Sequence, residues 1–198
     1  VFSYVLLRGR CRYCKASIGS RDTWIELLGG IAALFCIIKY ENIETALTVF
    51  AFFSLLTVVT FLDIDTMEIE NGCWIAILIL SVISLYTMRG ITFIDRGIGF
   101  LCVSLPMLAL ALVIPGAFGG GDIKLMAACG VFLGWRLTLV STVLAILGGG
   151  IYGIWLMAAK KAARKEKFAF GPFLCVGMVI GLVYGEQLLT WYMGYASG

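Results

Sequence analysis

The chain has 198 residues, of which 61% are hydrophobic and 14% are charged, and its mean hydropathy is +1.01. A soluble domain carries roughly 25% charged residues, so this composition excludes a soluble globular protein and predicts an integral membrane protein. The net charge of +3 predicts no nucleic-acid partner, because basic loops beside anionic membrane lipid account for it.

Apolar segments follow one another along the chain at lengths that suit membrane helices, which need about 20 residues per span. Seven are predicted, over residues 24–39, 46–62, 73–87, 98–114, 123–134, 137–159 and 171–192. The predicted fold class is therefore all-α, a polytopic membrane helix bundle of about seven spans. We divide the chain into a cytoplasmic head over residues 1–23 and a membrane domain over residues 24–198. Gly177 and Gly181 predict close helix packing, either within one protomer or in an oligomer.

The distribution of Lys and Arg predicts the topology. With seven spans, eleven of the fifteen basic residues fall on one set of loops, within 8–21, at 124 and within 160–167. The opposite loops hold only four, Lys39, Arg89, Arg96 and Arg136. Cytoplasmic loops carry the excess of Lys and Arg, so this set is predicted to be cytoplasmic. The same assignment puts Asp63 and Asp122 at the cytoplasmic face of a multi-pass protein of the cell inner membrane.

The head contains Cys11-Arg12-Tyr13-Cys14, which has the spacing of half a tetrahedral zinc site. Four ligands are needed, the chain has no histidine, and the other five cysteines lie in or beside apolar segments, where cysteine is a typical packing residue. We predict that Cys11 and Cys14 bind no metal in this chain as given. Zinc would require an upstream cysteine pair.

The second apolar segment ends at Asp63, and Asp65 lies two residues farther into a polar loop. An ionisable side chain at membrane depth marks a functional site by default. Only Asp63 adjoins the apolar run, so its carboxylate is expected to be the more desolvated of the two and the better suited to acid–base chemistry. The alternative interpretation is a polar helix end that faces water.

The tetrad at 119–122 consists of three glycines and Asp122, and it follows the fourth apolar segment. Consecutive glycines allow backbone conformations closed to other residues, and non-helical backbone at membrane depth is tolerated where it lines a cavity. Such a loop could place Asp122 beside a partner and leave room for an extended peptide. The alternative is a flexible connector in which Asp122 caps a helix beginning at Ile123.

Asp63 and Asp122 together predict a carboxylate dyad that shares one proton, the arrangement by which an aspartic protease activates water. The absence of histidine excludes Ser-His-Asp and Cys-His mechanisms. The alternatives are a small transporter or channel that uses the two acids as a proton or cation relay, and a non-catalytic assembly subunit. Acids at one face beside a glycine loop favour peptide cleavage over a relay. The candidate loop-shaping or substrate-binding residues are Gly119, Gly121, Asp65 and Lys124.

Four stretches in order resemble the type IV prepilin peptidases, membrane aspartic proteases of the GxGD class. They are the cysteine segment at 4–14, an aspartate motif at 63–69, the GxGD motif at 119–122 with the three residues that follow, and a final-helix motif at 170–174. The resemblance implies that Asp63 and Asp122 are catalytic and that the substrates are prepilins or pseudopilins, whose leader peptide is removed. It implies no metal or organic cofactor for the cleavage.

The chain also departs from the family pattern. Glu70-Asn71 stands where the family usually has Pro-Asp or Pro-Asn. The family's first helix and first Cys-x-x-Cys are absent, and the chain begins with Val1, which predicts an N-terminal truncation. Because the resemblance associates that cysteine region with N-methylation of the cleaved pilin, the sequence predicts the peptidase activity and leaves the methyltransferase activity in doubt.

Overall fold

The computed structural model describes residues 4, 7, 9–10, 12–14, 19–114, 118–158 and 169–196. Within these ranges the chain forms helices and no β-strand, which confirms the all-α prediction. The helices are α1 (Ser20–Lys39), α2 (Ile43–Thr66), α3 (Asn71–Thr87), α4 (Phe93–Cys102), α5 (Ser104–Val113), α6 (Gly120–Ala158) and α7 (Gly171–Ala196).

Four of the described helical segments are long and apolar enough to cross a membrane. They are Ile43–Thr66, Phe93–Val113 (α4 with α5), Gly120–Ala158 and Gly171–Tyr195. The chain is therefore a multi-pass membrane protein, but the predicted count of seven spans is not confirmed. Helix α3 has only 17 residues, and α1 carries four charged side chains along its length.

The chain divides into two compact units, residues 1–54 and residues 55–198. In the first unit, the rings of Phe35 on α1 and Phe53 on α2 lie 6.4 Å apart. The second unit contains the end of α2 and helices α3 to α7, and within it α6 packs against α3, α4, α5 and α7. The predicted division after Thr23 is a separate matter, and it stays a prediction.

Hydroxyl groups along helix α2 bond back to carbonyls of the preceding turn. The Thr60 hydroxyl donates to the carbonyl of Leu56, and the Thr66 hydroxyl donates to that of Leu62, both at 2.8 Å. Side chains that bond back to the preceding turn add no unpaired polar group to an apolar surface. The helix can therefore carry Thr60 through its apolar stretch and still end at Thr66, one turn beyond the predicted end.

Helix α6 reverses direction at Gly134, where the backbone adopts φ 75° and ψ 165°, a region essentially restricted to glycine. Two contacts require the reversal. The ring of Phe170 lies 6.2 Å from that of Phe118, and a Cβ on Gly149 would lie 2.8 Å from the same Phe170 ring. In a straight helix, residues 118 and 149 would be about 45 Å apart. Residues 120–133 and 135–158 therefore form a helical hairpin, which agrees with the predicted boundary between the fifth and sixth apolar segments.

Arg96 is buried in α4, with 3% of its surface exposed, whereas the topology prediction placed it in a loop. Its guanidinium donates to the carbonyls of Ser84, Met88 and Val131 at 3.1, 3.3 and 2.9 Å, and to the Ser84 hydroxyl at 2.7 Å. These carbonyls lie at the C-terminal end of α3 and just before the Gly134 turn, where helical donors run out. The loop assignment was wrong because these polar groups can hold a cation inside the bundle.

Small residues bring the helices of the second unit into close contact. Gly99 on α4 and Gly130 on α6 face each other with no room for a Cβ on either. Gly177 and Gly181 on α7 pack directly against Ser141 on α6. These glycines therefore serve packing within one protomer, one of the two interpretations of the glycine pair on α7.

Candidate active site

Asp63 lies in the last turn of α2, and only 5% of its surface is exposed. Its Oδ2 accepts a hydrogen bond of 2.8 Å from the backbone N–H of Gly171, the first residue of α7. A helix N-terminus presents N–H groups without helical partners and a partial positive charge, both of which favour a carboxylate. The fold thus gives Asp63 a backbone donor that lies 108 residues away in the sequence.

The chain leaves α2 at Met67, one turn after Asp63, through an unusual backbone conformation. Met67 adopts a φ of 53°, and no other non-glycine residue of the described ranges has a positive φ. The Met67 N–H donates to the carbonyl of Asp63 at 2.9 Å, and the Thr66 hydroxyl accepts from the N–H of Glu68 at 3.3 Å. Backbone strain of this kind concentrates at functional sites. Here the strained residue, Met67, follows the last residue of α2 and begins the short connection to α3, which starts at Asn71.

Asp122 is half-buried in the first turn of α6. The helix begins at Gly120, three residues before the start considered in the capping interpretation. The Oδ2 atom of Asp122 accepts a hydrogen bond of 3.3 Å from the backbone N–H of Gly119, as a carboxylate does in the first turn of a helix. Among the described residues, neither Oδ1 of Asp63 nor Oδ1 of Asp122 has a hydrogen-bond partner. Each carboxylate is therefore held through one oxygen and leaves the other for water or substrate.

The two carboxylates converge. The segments that carry them touch, since a Cβ on Gly121 would lie 2.9 Å from the Cβ of Ile69. The aromatic ring of Phe118, next to Gly119, packs against that of Phe170, next to Gly171. Three helix ends from distant parts of the sequence thus meet at one place: the C-terminus of α2 and the N-termini of α6 and α7.

Two further side chains adjoin the carboxylates. Cys175 on α7 is 2% exposed, and it lies near Thr60 of α2 and the two carboxylates. The sequence interpretation treated Cys175 as an ordinary packing residue. Its position one turn after Gly171 could have been recognised only once α7 was known to reach Asp63.

The remaining candidate residues have different surroundings. Asp65 is exposed, two residues beyond Asp63. Lys124 is exposed as well, and its Nζ donates to Oδ1 of Asn71 at 3.1 Å and lies 5.8 Å from the centre of the Trp74 ring. Trp74 donates to the same Asn71 oxygen at 3.0 Å. Lys124 therefore links the start of α6 to the start of α3, which fits a loop-shaping role better than a free substrate contact.

The cysteine head stays largely a prediction. Cys11 lies outside the described residues, and Cys14 is exposed. The prediction that this pair binds no zinc in the chain as given therefore stays a prediction. The basic segment 160–167, on which the cytoplasmic assignment partly depends, also lies outside the described residues.

The fold and the site define a class of protein: a multi-pass helical membrane protein with two carboxylates at adjoining helix ends. Comparison with known proteins gives the family. The model of the type IV leader peptidase family matches residues 50–154, and the model of the bacterial peptidase A24 N-terminal domain matches residues 1–40. The chain belongs to the type IV leader peptidase family and is a membrane peptidase. The first match contains both Asp63 and Asp122.

Curated relatives align over nearly the whole chain. A prepilin leader peptidase/N-methyltransferase of Aeromonas salmonicida is 28% identical over 198 residues, covering 98% of this chain and 68% of that protein. The protein of the same name from Bacillus subtilis is 26% identical, covering 100% of this chain and 80% of the relative. That of Burkholderia pseudomallei is 30% identical, covering 93% and 62%. No solved structure matches the chain.

Proposed function

We propose that this chain is an aspartic endopeptidase that removes the leader peptide of type IV prepilins or pseudopilins, with Asp63 and Asp122 as the catalytic pair. The observation that carries the proposal is the close approach of the two segments that bear the carboxylates, each carboxylate being held by one backbone N–H. Two carboxylates in one site favour a state in which they share one proton. That state contains both a base and an acid.

The chemistry follows from the shared proton. The ionised carboxylate removes a proton from a water molecule as the water oxygen bonds to the carbon of the scissile carbonyl. The protonated carboxylate donates a hydrogen bond to the carbonyl oxygen and supports the developing negative charge. When the C–N bond breaks, a carboxyl proton passes to the departing amine. The Oδ1 atoms of Asp63 and Asp122 are the oxygens available for these transfers.

The substrate class is supported by the relatives, which are named as prepilin leader peptidases. The membrane and its face are supported by the sequence, because the excess of Lys and Arg assigns the loops beside both carboxylates to the cytoplasm. We therefore propose cleavage at the cytoplasmic face of the inner membrane. Inverted membrane vesicles should cleave an added prepilin, and sealed right-side-out vesicles should not.

The experiment that tests the catalytic pair uses the full chain in proteoliposomes and a prepilin that carries its leader. Mass spectrometry should detect the loss of the leader. Asp63→Asn and Asp122→Asn should each lower the cleavage rate by about 10²–10⁴-fold, the usual contribution of general acid–base catalysis, because an amide can neither accept the water proton nor exchange the shared one.

Asp65→Asn is the matched control, since Asp65 is an exposed carboxylate two residues from Asp63. Its loss of rate should be much milder than that of Asp63→Asn or Asp122→Asn. Full activity of Asp63→Asn would contradict the proposal. A proton flux that depends on Asp63 and Asp122, with no cleavage of the prepilin, would instead support the relay considered from the sequence.

The relatives' name includes a second activity, N-methyltransferase. The doubt that the sequence raised about this activity stays a prediction. The same mass spectrum, recorded with a methyl donor present, tests it, because a methylated product would be heavier than the cleaved one.

A further inference from the structure

We propose that the first turn of α7 positions both carboxylates, through a two-residue segment formed by Phe170 and Gly171, which we name the α7 clamp. Gly171 holds Asp63 through its backbone N–H, and Phe170 holds the segment of Asp122 through the ring of Phe118. The inference rests on the proposed function, because it concerns the geometry of the same catalytic pair. It adds a third element of the fold to a site otherwise built from α2 and α6.

The hydrogen bonds of the first turn of α7 assign the Gly171 N–H to Asp63. A helix begins with N–H groups that have no helical acceptor. In α7, Pro172 has no N–H, and the N–H groups of Phe173 and Leu174 both donate to the carbonyl of Phe170 at 3.0 and 3.3 Å. The Gly171 N–H therefore has its acceptor outside the helix, and that acceptor is Asp63 Oδ2 at 2.8 Å.

Glycine is required at this position for a steric reason as well. A Cβ at residue 171 would lie 2.6 Å from Oδ2 of Asp63 and 2.9 Å from its Cγ. Both distances are shorter than van der Waals contact. Since the Asp63 carboxylate is the nearest group, a methyl at residue 171 would displace it and lengthen its hydrogen bond to the backbone.

Phe170 secures the other carboxylate. Its ring lies 6.2 Å from that of Phe118 at an interplanar angle of 54°, a favourable tilted arrangement. Phe118 directly precedes Gly119, whose N–H donates to Asp122. The Phe170 ring also packs against Gly149 in the returning half of α6. Phe170 thus contacts both the loop before α6 and the second half of that helix.

The clamp predicts a specific kinetic effect. A displacement of about 1 Å in a catalytic group can cost on the order of 100-fold in rate. Neither Gly171 nor Phe170 is proposed to bind the prepilin, so the loss should appear in kcat with little change in KM.

The test is Gly171→Ala in the full chain, assayed by prepilin cleavage. The matched control is Gly194→Ala, which makes the same change on the same helix where a Cβ would meet no atom within 4 Å. We expect kcat to fall on the order of 100-fold for Gly171→Ala and to change by no more than about twofold for Gly194→Ala. A wild-type kcat for Gly171→Ala would overturn the clamp.

A double-mutant cycle covers the case in which Gly171→Ala does not fold. Phe118→Leu and Phe170→Leu keep apolar volume but remove the ring contact. If the contact positions Asp122, the double variant should lose scarcely more kcat than either single variant. Additive losses would overturn the clamp. If Asp63→Asn loses cleavage and Gly171→Ala keeps a normal kcat, the clamp alone is refuted. If Asp63→Asn cleaves fully, the proposed function is refuted.

Discussion

Gly121 packs directly against Ile69. A Cβ on Gly121 would lie 2.9 Å from the Ile69 Cβ and 3.3 Å from the Ile69 carbonyl oxygen. Ile69 belongs to the short segment that follows Asp63, and Gly121 directly precedes Asp122. The approach of the two acidic residues therefore depends on the absence of one side chain. The neighbouring Gly120 differs, because a Cβ there would meet no atom within 4 Å.

Gly121→Ala should therefore lower kcat for prepilin cleavage by on the order of 100-fold, because the new methyl separates the two carboxylate-bearing segments. Gly120→Ala, the adjacent and sterically open position, should be much milder. Combining Gly121→Ala with Ile69→Gly removes the nearest clashing atom and should restore part of the activity. Equal losses at residues 120 and 121, with no recovery in the double variant, would show that the approach at Ile69 is unimportant.

Arg96→Met should destabilise the fold by about 3 kcal/mol, because it removes the buried hydrogen bonds that the guanidinium donates to the Ser84 hydroxyl and to the carbonyls of Ser84, Met88 and Val131. The measurement is the free energy of unfolding in detergent. Arg136→Met is the matched control, since Arg136 is exposed beside Trp135, and it should change stability by no more than about 0.5 kcal/mol. Similar values for the two variants would contradict a capping role for Arg96.

Gly134→Ala should also destabilise the protein, by about 1–3 kcal/mol. The backbone at Gly134 has φ 75° and ψ 165°, and a Cβ would lie 3.0 Å from Cγ2 of Ile91. Gly153→Ala, farther along α6, introduces a methyl that meets no atom within 4 Å, and it should be neutral or stabilising because alanine favours the helix. A thermal melt of each variant provides the comparison. A stable Gly134→Ala would mean that the turn can be rebuilt without glycine.

The role of Cys11 and Cys14 can be tested by metal analysis and by replacing both cysteines. We expect this chain alone to bind no stoichiometric zinc, because Cys11 and Cys14 supply only half of a tetrahedral ligand set. The double variant Cys11→Ser with Cys14→Ser should cleave prepilin at close to the normal rate. Metal analysis of the purified chain and a cleavage assay test the two statements. One equivalent of tightly bound zinc, or loss of cleavage with the fold preserved, would contradict them.

The sequence predicted the parts of the site that are local. The apolar run before Asp63 and the glycines before Asp122 each mark a helix end, and the structure brings these two ends together. The donor to Asp63 could not be predicted in this way, because it is a backbone N–H from residue 171 and no side-chain pattern identifies it. Residue-level motifs indicate which chemistry is present, but long-range backbone contacts arise only when the helices pack.

In the fold as well, some features were predictable from the sequence and others were not. The boundary near Gly134 was predicted because the apolar pattern breaks there, whereas the burial of Arg96 was not, since hydropathy assigns a cation to a loop. The start of α4 was also placed too late. Thr92 and Asp95 form reciprocal capping hydrogen bonds that begin this helix at Phe93, and a search for apolar residues passes over that polar signal.

The reversal at Gly134 has a consequence for the surrounding lipid. Residues 120–133 rise only about 20 Å, and the 17 residues of α3 rise about 25 Å, whereas the hydrocarbon layer of a bilayer is about 30 Å thick. Such hydrophobic mismatch is relieved in part by local thinning of the bilayer. Both short helices begin beside the two carboxylates, so the thinning would bring the headgroup region down to them. Under the proposed function, the leader peptide could then reach the aspartates without crossing the full depth of the lipid.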